Sequence, residues 1–175
     1  MKLLNSDLLK LRALEPEDLD YLYKWENDTT LWRYGSSLAP YSRFSLRDYL
    51  ADSRLDIFQS RQLRLMIVLK SENDLPVGTI DLYDFDPING RAGVGILIDE
   101  SYRKQGVGME ALKLIEVYVF HFLMLKQIYA YVPEQNKPSL MLFTNSGYKE
   151  AGKLISWIKN GDKYEDVYFM QLIAP

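Results

Sequence analysis

An α+β fold built on a mostly antiparallel sheet is what this sequence predicts, on three observations. Strand-like apolar runs at Leu63 to Leu69, Val77 to Phe85 and Ala92 to Ile98 are joined only by Asn73-Asp74-Leu75-Pro76 and Asp86-Pro87-Ile88-Asn89-Gly90, connections too short for a parallel crossover. Helical periodicity precedes that meander and resumes after it. Near the end, Asn160-Gly161 separates two further strand-like runs, a hairpin signal because both turn positions tolerate positive φ. The predicted order is βααβββαβαββ. No internal repeat, low-complexity tract or long linker divides the chain, so residues 1–175 read as one domain.

Taken in order, Leu8 to Leu14 is the first strand. Glu15-Pro16-Glu17-Asp18 then opens a helix running to about Glu26, since proline and acidic residues suit a first helical turn. Gly35, Pro40 and the serines between them mark a loop, and Leu46, Tyr49, Leu50 and Ser53 predict a second helix from about Ser45 to Phe58. Beyond the meander, Gly106 to Met124 predicts a long helix in which Glu110, Lys113 and Glu116 form a narrow water-facing stripe. Gln127 to Val132 is a strand, and Pro138 to Ser146 a short helix closed by Gly147. Lys149 to Ile158 and Lys163 to Leu172 make the final hairpin.

Charge and composition narrow the function classes. With 21 Lys+Arg against 24 Asp+Glu the formal charge is −3, which gives no global attraction to nucleic acid or to an acidic membrane. The absence of cysteine excludes disulfides, thiolate zinc sites and a cysteine nucleophile, and fits a reducing compartment. The first residues are too polar for a secretory signal, so the cytoplasm is the expected location. Val117 to Leu125, the longest apolar stretch, is about half of the ~20 residues a membrane span needs and reads as a core helix. No metal site is expected.

The sharpest motif is Arg103-Lys104-Gln105-Gly106-Val107-Gly108, placed between a strand and a long helix. Backbone N–H groups converge there at the positive end of the helix dipole, and the glycines let the main chain approach an anion such as a pyrophosphate. Arg103 and Lys104 add charge to the same region. A glycine-rich helix start without a ligand is the plain alternative. Gly106-Val107-Gly108-Met109-Glu110-Ala111 also fits a dinucleotide fingerprint, but its late position and the lack of an acid in Lys126 to Tyr131 argue against that use.

Together with Ile96-Leu97-Ile98 before it and Asn136-Lys137-Pro138-Ser139 and Phe143-Thr144-Asn145-Ser146-Gly147-Tyr148 after it, this turn resembles the GNAT superfamily of N-acetyltransferases. The likeness covers nearly the whole chain. It is greatest for the branch of ribosomal-protein N-terminal acetyltransferases and spermidine acetyltransferases, including the C-terminal pattern Gly152-x-Leu154, Trp157, Gly161, Tyr164 and Asp166. The resemblance implies a central, mostly antiparallel mixed and twisted sheet with helices on both faces. It implies acetyl-CoA as co-substrate, its pantetheine arm entering between splayed ends of the Ala92 to Ile98 and Gln127 to Val132 strands, bound by main-chain groups of Ile96, Leu97 and Ile98, by the turn from Arg103, Lys104, Gln105 and Gly106 to Val107 and Gly108, and near Phe143. Asn136 and Ser139 are either cofactor contacts or the cap of the helix at Pro138.

Amine acetylation requires proton acceptance, carbonyl polarisation and stabilisation of the departing thiolate. The resemblance assigns polarisation to a main-chain N–H, that of Leu97. Many relatives carry a tyrosine where this chain has Phe143, which cannot donate a proton, and Tyr131 and Tyr148 are the substitutes near in sequence. The acid that relatives carry near Ala92-Gly93-Val94-Gly95 is also missing, leaving Asp81 as the expected proton acceptor and amine ligand, with Asp84 behind it. Solvated strand-face charges are the alternative for both. His121 is expected at the surface, and Trp25, Trp32, Tyr34 and Tyr41 gather where relatives shape the acceptor pocket, Trp32 and Tyr34 being the expected substrate contacts.

The expected acceptor is a small amine, a polyamine or a protein N-terminus; the glutamates of spermidine acetyltransferases are absent from Arg33 to Leu38, which disfavours a polyamine. A homodimer is common among relatives. The alternative function is a catalytically weak GNAT-fold module that binds CoA or a partner.

Overall fold

The structure is a computed structural model that describes residues 3–32, 34, 39–52 and 56–175. Arg33, Gly35 to Leu38 and Ser53, named above, lie outside the described residues. The elements are β1 (Leu9–Arg12), α1 (Leu19–Glu26), α2 (Thr29–Trp32), α3 (Arg43–Asp52), α4 (Ile57–Ser60), β2 (Leu63–Leu69), β3 (Leu75–Asp86) and β4 (Arg91–Ile98). They continue with α5 (Val107–Val117), β5 (Gln127–Pro133), α6 (Lys137–Asn145), β6 (Lys149–Asn160) and β7 (Lys163–Ile173). Seven strands make one sheet in the order β1-β2-β3-β4-β5-β7-β6. Every pairing is antiparallel except β4 with β5.

Most of the expected elements form, with two adjustments. The single second helix is instead α3 followed by a separate turn, α4, because Asp56 caps a new start by accepting from the N–H groups of Phe58 (2.8 Å) and Gln59 (3.0 Å). The long helix keeps its regular form only to Val117 and then widens into a π-helical turn, Tyr118–Phe122, on which His121 is exposed as expected.

The larger core lies on one face of the sheet. There Ile67, Ile80, Val94, Ile128 and Ala130 meet Ala111, Leu112 and Ile115 of α5 and Phe143 of α6. The opposite face carries a smaller core in which Met66 and Val68 of β2 pack against Leu22 and Trp25 of α1 and Leu46 of α3. Because both of its faces are covered, β2 is apolar almost throughout. Asp18 ties the start of α1 to β1, its carboxylate accepting from both terminal nitrogens of Arg12 (2.7 and 2.8 Å) and from the N–H of Glu15 (2.8 Å).

The sheet's one parallel pairing creates the opening on which the rest depends. β4 and β5 run together only from Arg91↔Gln127 to Gly93↔Tyr129 and part beyond that point. From Val94 to Ile98 on one side and Ala130 to Val132 on the other, the strand edges face a gap.

Candidate active site

At the wide end of the gap, the turn before α5 has the geometry of an anion site. Gly106 caps the helix at φ +82°, a left-handed conformation that disfavours any side chain, and a Cβ added there would meet nothing within 4 Å. The first helical bond is donated by Glu110 to the Gly106 carbonyl (3.1 Å), so the N–H groups of Val107, Gly108 and Met109 precede the ladder and are open to an acceptor. Arg103, Lys104 and Gln105 are exposed around them. Two are shaped by the protein itself: Arg103 donates through Nε to the Ile98 carbonyl (2.9 Å) and Gln105 through its side-chain amide to the Ser101 carbonyl (2.9 Å).

Gly108 also serves packing: a Cβ there would lie 3.2 Å from Cδ2 of Leu142, so the second glycine lets α5 approach α6 while its N–H stays at the open end of the helix. Val107 is buried in the core. Asn136 caps α6, its side-chain oxygen accepting from the N–H of Ser139 (3.2 Å), which is the capping half of the two readings offered for this pair.

The strand register fixes which main-chain groups look into the gap. Alternate residues of an antiparallel strand direct both polar groups to the same neighbour. Asp99 donates to the Val77 carbonyl on the β3 side (2.8 Å), and Leu97 pairs with Thr79 two residues earlier, so the Leu97 N–H points to β3. The N–H expected to polarise the carbonyl is therefore turned away from the gap, which corrects the expected use of Leu97. Ile96 and Ile98 turn their polar groups to the gap, and the Ile98 carbonyl is the one that accepts from Arg103.

On the face covered by α1 and α3, Asp81 is fixed by Arg64. Its two oxygens accept from Nε (2.6 Å) and Nη2 (3.0 Å), while Nη1 of Arg64 donates to Glu26 of α1 (2.5 Å) and the guanidinium lies 5.4 Å from the ring centre of Tyr49. Burial pushes the Arg64 guanidinium down, but the neighbouring Asp81 charge outweighs it and holds the group above its ordinary value. The free carboxylate expected at position 81 is thus an anchored one, whose role in the structure is to hold Arg64. Trp32 joins this chain of contacts through its indole N–H, which donates to the Glu26 carbonyl (2.8 Å), and Tyr34 follows with its N–H on the Leu31 carbonyl (2.9 Å).

Nearby, α1 is latched to the end of β4. Asp99 is buried and accepts from Lys24 Nζ (2.6 Å), the Trp25 indole (2.8 Å) and the Ser101 N–H (3.1 Å). Burial pushes this carboxyl up, but those donors outweigh it and hold it at about 2. Trp25 is accordingly a core residue with a polar duty.

At the closed end of the gap stand residues that the sequence reading passed over. Tyr83 pairs with Gly93, and its ring lies across that glycine: a Cβ on Gly93 would sit 2.2 Å from Cε2. Tyr129, opposite Gly93 on β5, meets Tyr83 edge-on with ring centres 6.1 Å apart. Beyond them an open groove of about 610 Å³ runs over the sheet, lined by Tyr129, Tyr131, Phe169, Asp84, Asp86 and Arg91 among others. Asp86 is engaged by the side chains of Asn89 (2.7 Å) and Arg91 (3.2 Å). Asp84 sits in a β-bulge at φ +49°, exposed, and its carboxylate makes no hydrogen bond or ion pair among the described residues.

An anion turn opening into a gap between parting parallel strands is joined by an independent finding: the family model "Acetyltransferase (GNAT) domain" matches residues 9–149. The chain belongs to the GNAT acetyltransferase family. It is similar to the uncharacterized N-acetyltransferase p20 of Bacillus licheniformis, 27% identical over 173 residues and spanning 99% of this chain and 97% of that one. It is also similar to the spermidine N(1)-acetyltransferase of Escherichia coli, 28% identical over 147 residues, 84% of this chain and 76% of the other. Among solved structures, the spermidine N-acetyltransferase of Vibrio cholerae in complex with CoA and spermine superimposes with a TM-score of 0.84 at 24% identity, covering 96% of each chain, which shows the fold. The co-substrate of this family is acetyl-CoA, and the residues present fit it: the open N–H groups at Gly106 suit the pyrophosphate and the strand edges suit an amide-bearing arm.

This GNAT chain replaces one feature that many relatives carry. Phe143 is 3% exposed, stacked edge-on against Tyr148 at 4.9 Å. Tyr148 turns its hydroxyl to Glu116 of α5, and that hydroxyl and Glu116 Oε1 are buried without a hydrogen bond of good geometry. Burial pushes the Glu116 carboxyl up to about 7, which corrects the expectation that Glu116 belongs to a water-facing stripe. Burial likewise pushes the Tyr148 hydroxyl up. Of the two expected substitutes for the missing tyrosine, Tyr148 is committed to this contact and Tyr131 lies 46% exposed on the groove. Among the described residues no group of side chains could hold a metal ion, and no helix is long and apolar enough to cross a membrane.

Proposed function

We propose that this acetyltransferase moves the acetyl group of acetyl-CoA onto a primary amine of a small polycation, by direct attack and without a covalent enzyme intermediate. The observation that carries the reading is the groove at the closed end of the gap. Its aromatic faces and the unpaired carboxylate of Asp84 attract an ammonium group, while the gap delivers the thioester to the same place. The similarity to enzymes named for spermidine supports this acceptor class. The loop acids absent from residues 33–38 are replaced in this reading by the groove's own acid, Asp84. A protein N-terminus, with a single ammonium, leaves that carboxylate unused. In the same reading the amine proton leaves through the water of the open groove, and the Ile96 N–H, rather than that of Leu97, polarises the thioester carbonyl.

A panel of monoamines, diamines, polyamines and short peptides, read by thiol release from acetyl-CoA, tests the proposal. Lower KM for diamines and polyamines than for monoamines of equal length is the expected result. Equal KM across the panel, or a preference for peptides, would refute the acceptor class. Phe143 favours a second reading, a module that binds CoA without turnover; CoA binding with no thiol release from any acceptor is its signature.

A further inference from the structure

We propose that the Tyr83 hydroxyl is the hydrogen-bond donor to the sulfur that leaves the thioester, taking the place of the tyrosine absent at position 143. The proposal rests on the acetyl-transfer reading above. Three observations place this hydroxyl at the reacting end of the gap. Tyr83 and Tyr129 flank Gly93, the last residue at which β4 and β5 are paired. The Tyr83 ring crosses over Gly93 in the space a side chain would fill, with Cζ 2.4 Å and Cε2 2.2 Å from the position of a Cβ, so the hydroxyl projects past β4 toward β5. There the facing residue is Tyr131, whose main-chain polar groups turn from β7 toward β4 by the alternation of the ladder, two residues beyond the last parallel pair and on the first stretch where the strands have parted.

The small residues of β4 are what permit this crossing. Any side chain at position 93 would displace the ring, and at Gly95 a Cβ would already be in contact with its other edge at 3.9 Å. The missing acid at position 93 and the missing tyrosine at position 143 thus meet in one arrangement, with a hydroxyl supplied from β3.

The Tyr83 hydroxyl donates to no acceptor among the described residues, so its proton is free to donate. Burial pushes the hydroxyl up, so it remains protonated and acts by hydrogen bonding rather than by surrendering its proton to a thiolate, whose conjugate thiol lies near 8.5. The step balances without further reagents. The amine nitrogen forms a bond to the carbonyl carbon, the carbon–sulfur bond breaks, and its electron pair stays on sulfur under the Tyr83 O–H. The proton released from nitrogen passes through groove water to the sulfur, giving free thiol and amide.

The test is Tyr83→Phe, which retains the ring over Gly93. Single-turnover thiol release is measured at saturating acetyl-CoA, beside CoA affinity by calorimetry and the thermal midpoint. A charge-assisted hydrogen bond lost only in the reacting state lowers the rate by on the order of tenfold to a hundredfold, with CoA affinity within about twofold. An unchanged rate, or a rate loss matched by an equal loss of CoA affinity, overturns the proposal while leaving the function reading intact. A wild-type protein that binds CoA and releases no thiol with any amine overturns both.

Discussion

Replacing Gly106 by alanine separates the ligand role of the turn from its structural one. The residue holds φ +82°, where an alanine costs roughly 1 kcal/mol in conformational energy, yet a Cβ would touch nothing in the protein. Thermal stability should therefore fall by only about 2–4 °C. The methyl group stands beside the open N–H groups of Val107 and Gly108, and losing one charge-assisted hydrogen bond to a phosphate is worth about 1.5–3 kcal/mol, or roughly tenfold to a hundredfold in Kd. Gly108→Ala supplies the control: its Cβ would meet the flexible end of Leu142 at 3.2 Å, so packing is disturbed while CoA affinity stays within about threefold. Calorimetric titration of CoA into both variants, with thermal unfolding of the free proteins, measures the two effects. Unchanged CoA affinity in the Gly106 variant, or a larger loss in the Gly108 variant, would refute the assignment of the anion site.

Asp99 and Glu116 give predictions of opposite sign. The folded state holds Asp99 at about 2 against an ordinary 3.8, so the unfolded chain takes up the proton first as pH falls. Its contribution of about 2 kcal/mol is full above about pH 4 and is lost toward pH 2. Asp99→Asn should remove both the stability and this acid sensitivity, as followed by Trp25 fluorescence during urea unfolding; an unchanged acid profile contradicts the latch. Glu116 lies at about 7 in the folded state against 4.5, so the folded protein binds its proton more tightly and stability falls as pH rises through 7. Glu116→Gln should be more stable than the wild type by about 2 kcal/mol at pH 8, allowing for partial exposure, and equal to it near pH 4; equal stability at pH 8 contradicts the buried acid.

The meander, the hairpin and the helix after the anion turn were legible because each depends on local signals: short connections, an Asn-Gly turn, a change of period. The gap between β4 and β5 came through resemblance, since no local pattern announces where two strands part. What the sequence hid was set by neighbours in space. Asp81 looks like a free carboxylate until Arg64, on the adjoining strand, claims both its oxygens. Leu97 was wrong by the parity of the ladder, which only the Asp99 to Val77 bond reveals. Glu116 repeats with Glu110 and Lys113, yet Tyr148 covers its carboxyl from another segment. Tyr83 left one trace, the two glycines Gly93 and Gly95 inside a strand, with a tyrosine directly opposite the first.

The central claim is that acetyl-CoA enters between β4 and β5 with its pyrophosphate at the turn before α5. A crystal structure of the protein with CoA tests this most directly. The account predicts phosphate oxygens on the N–H groups of residues 107–109, the pantetheine amides on Ile96 and Ile98, and the sulfur within hydrogen-bonding reach of the Tyr83 hydroxyl beside Gly93. A strand pair closed through position 132, with CoA bound elsewhere or with its thiol on the far side of the sheet from Tyr83, would contradict it.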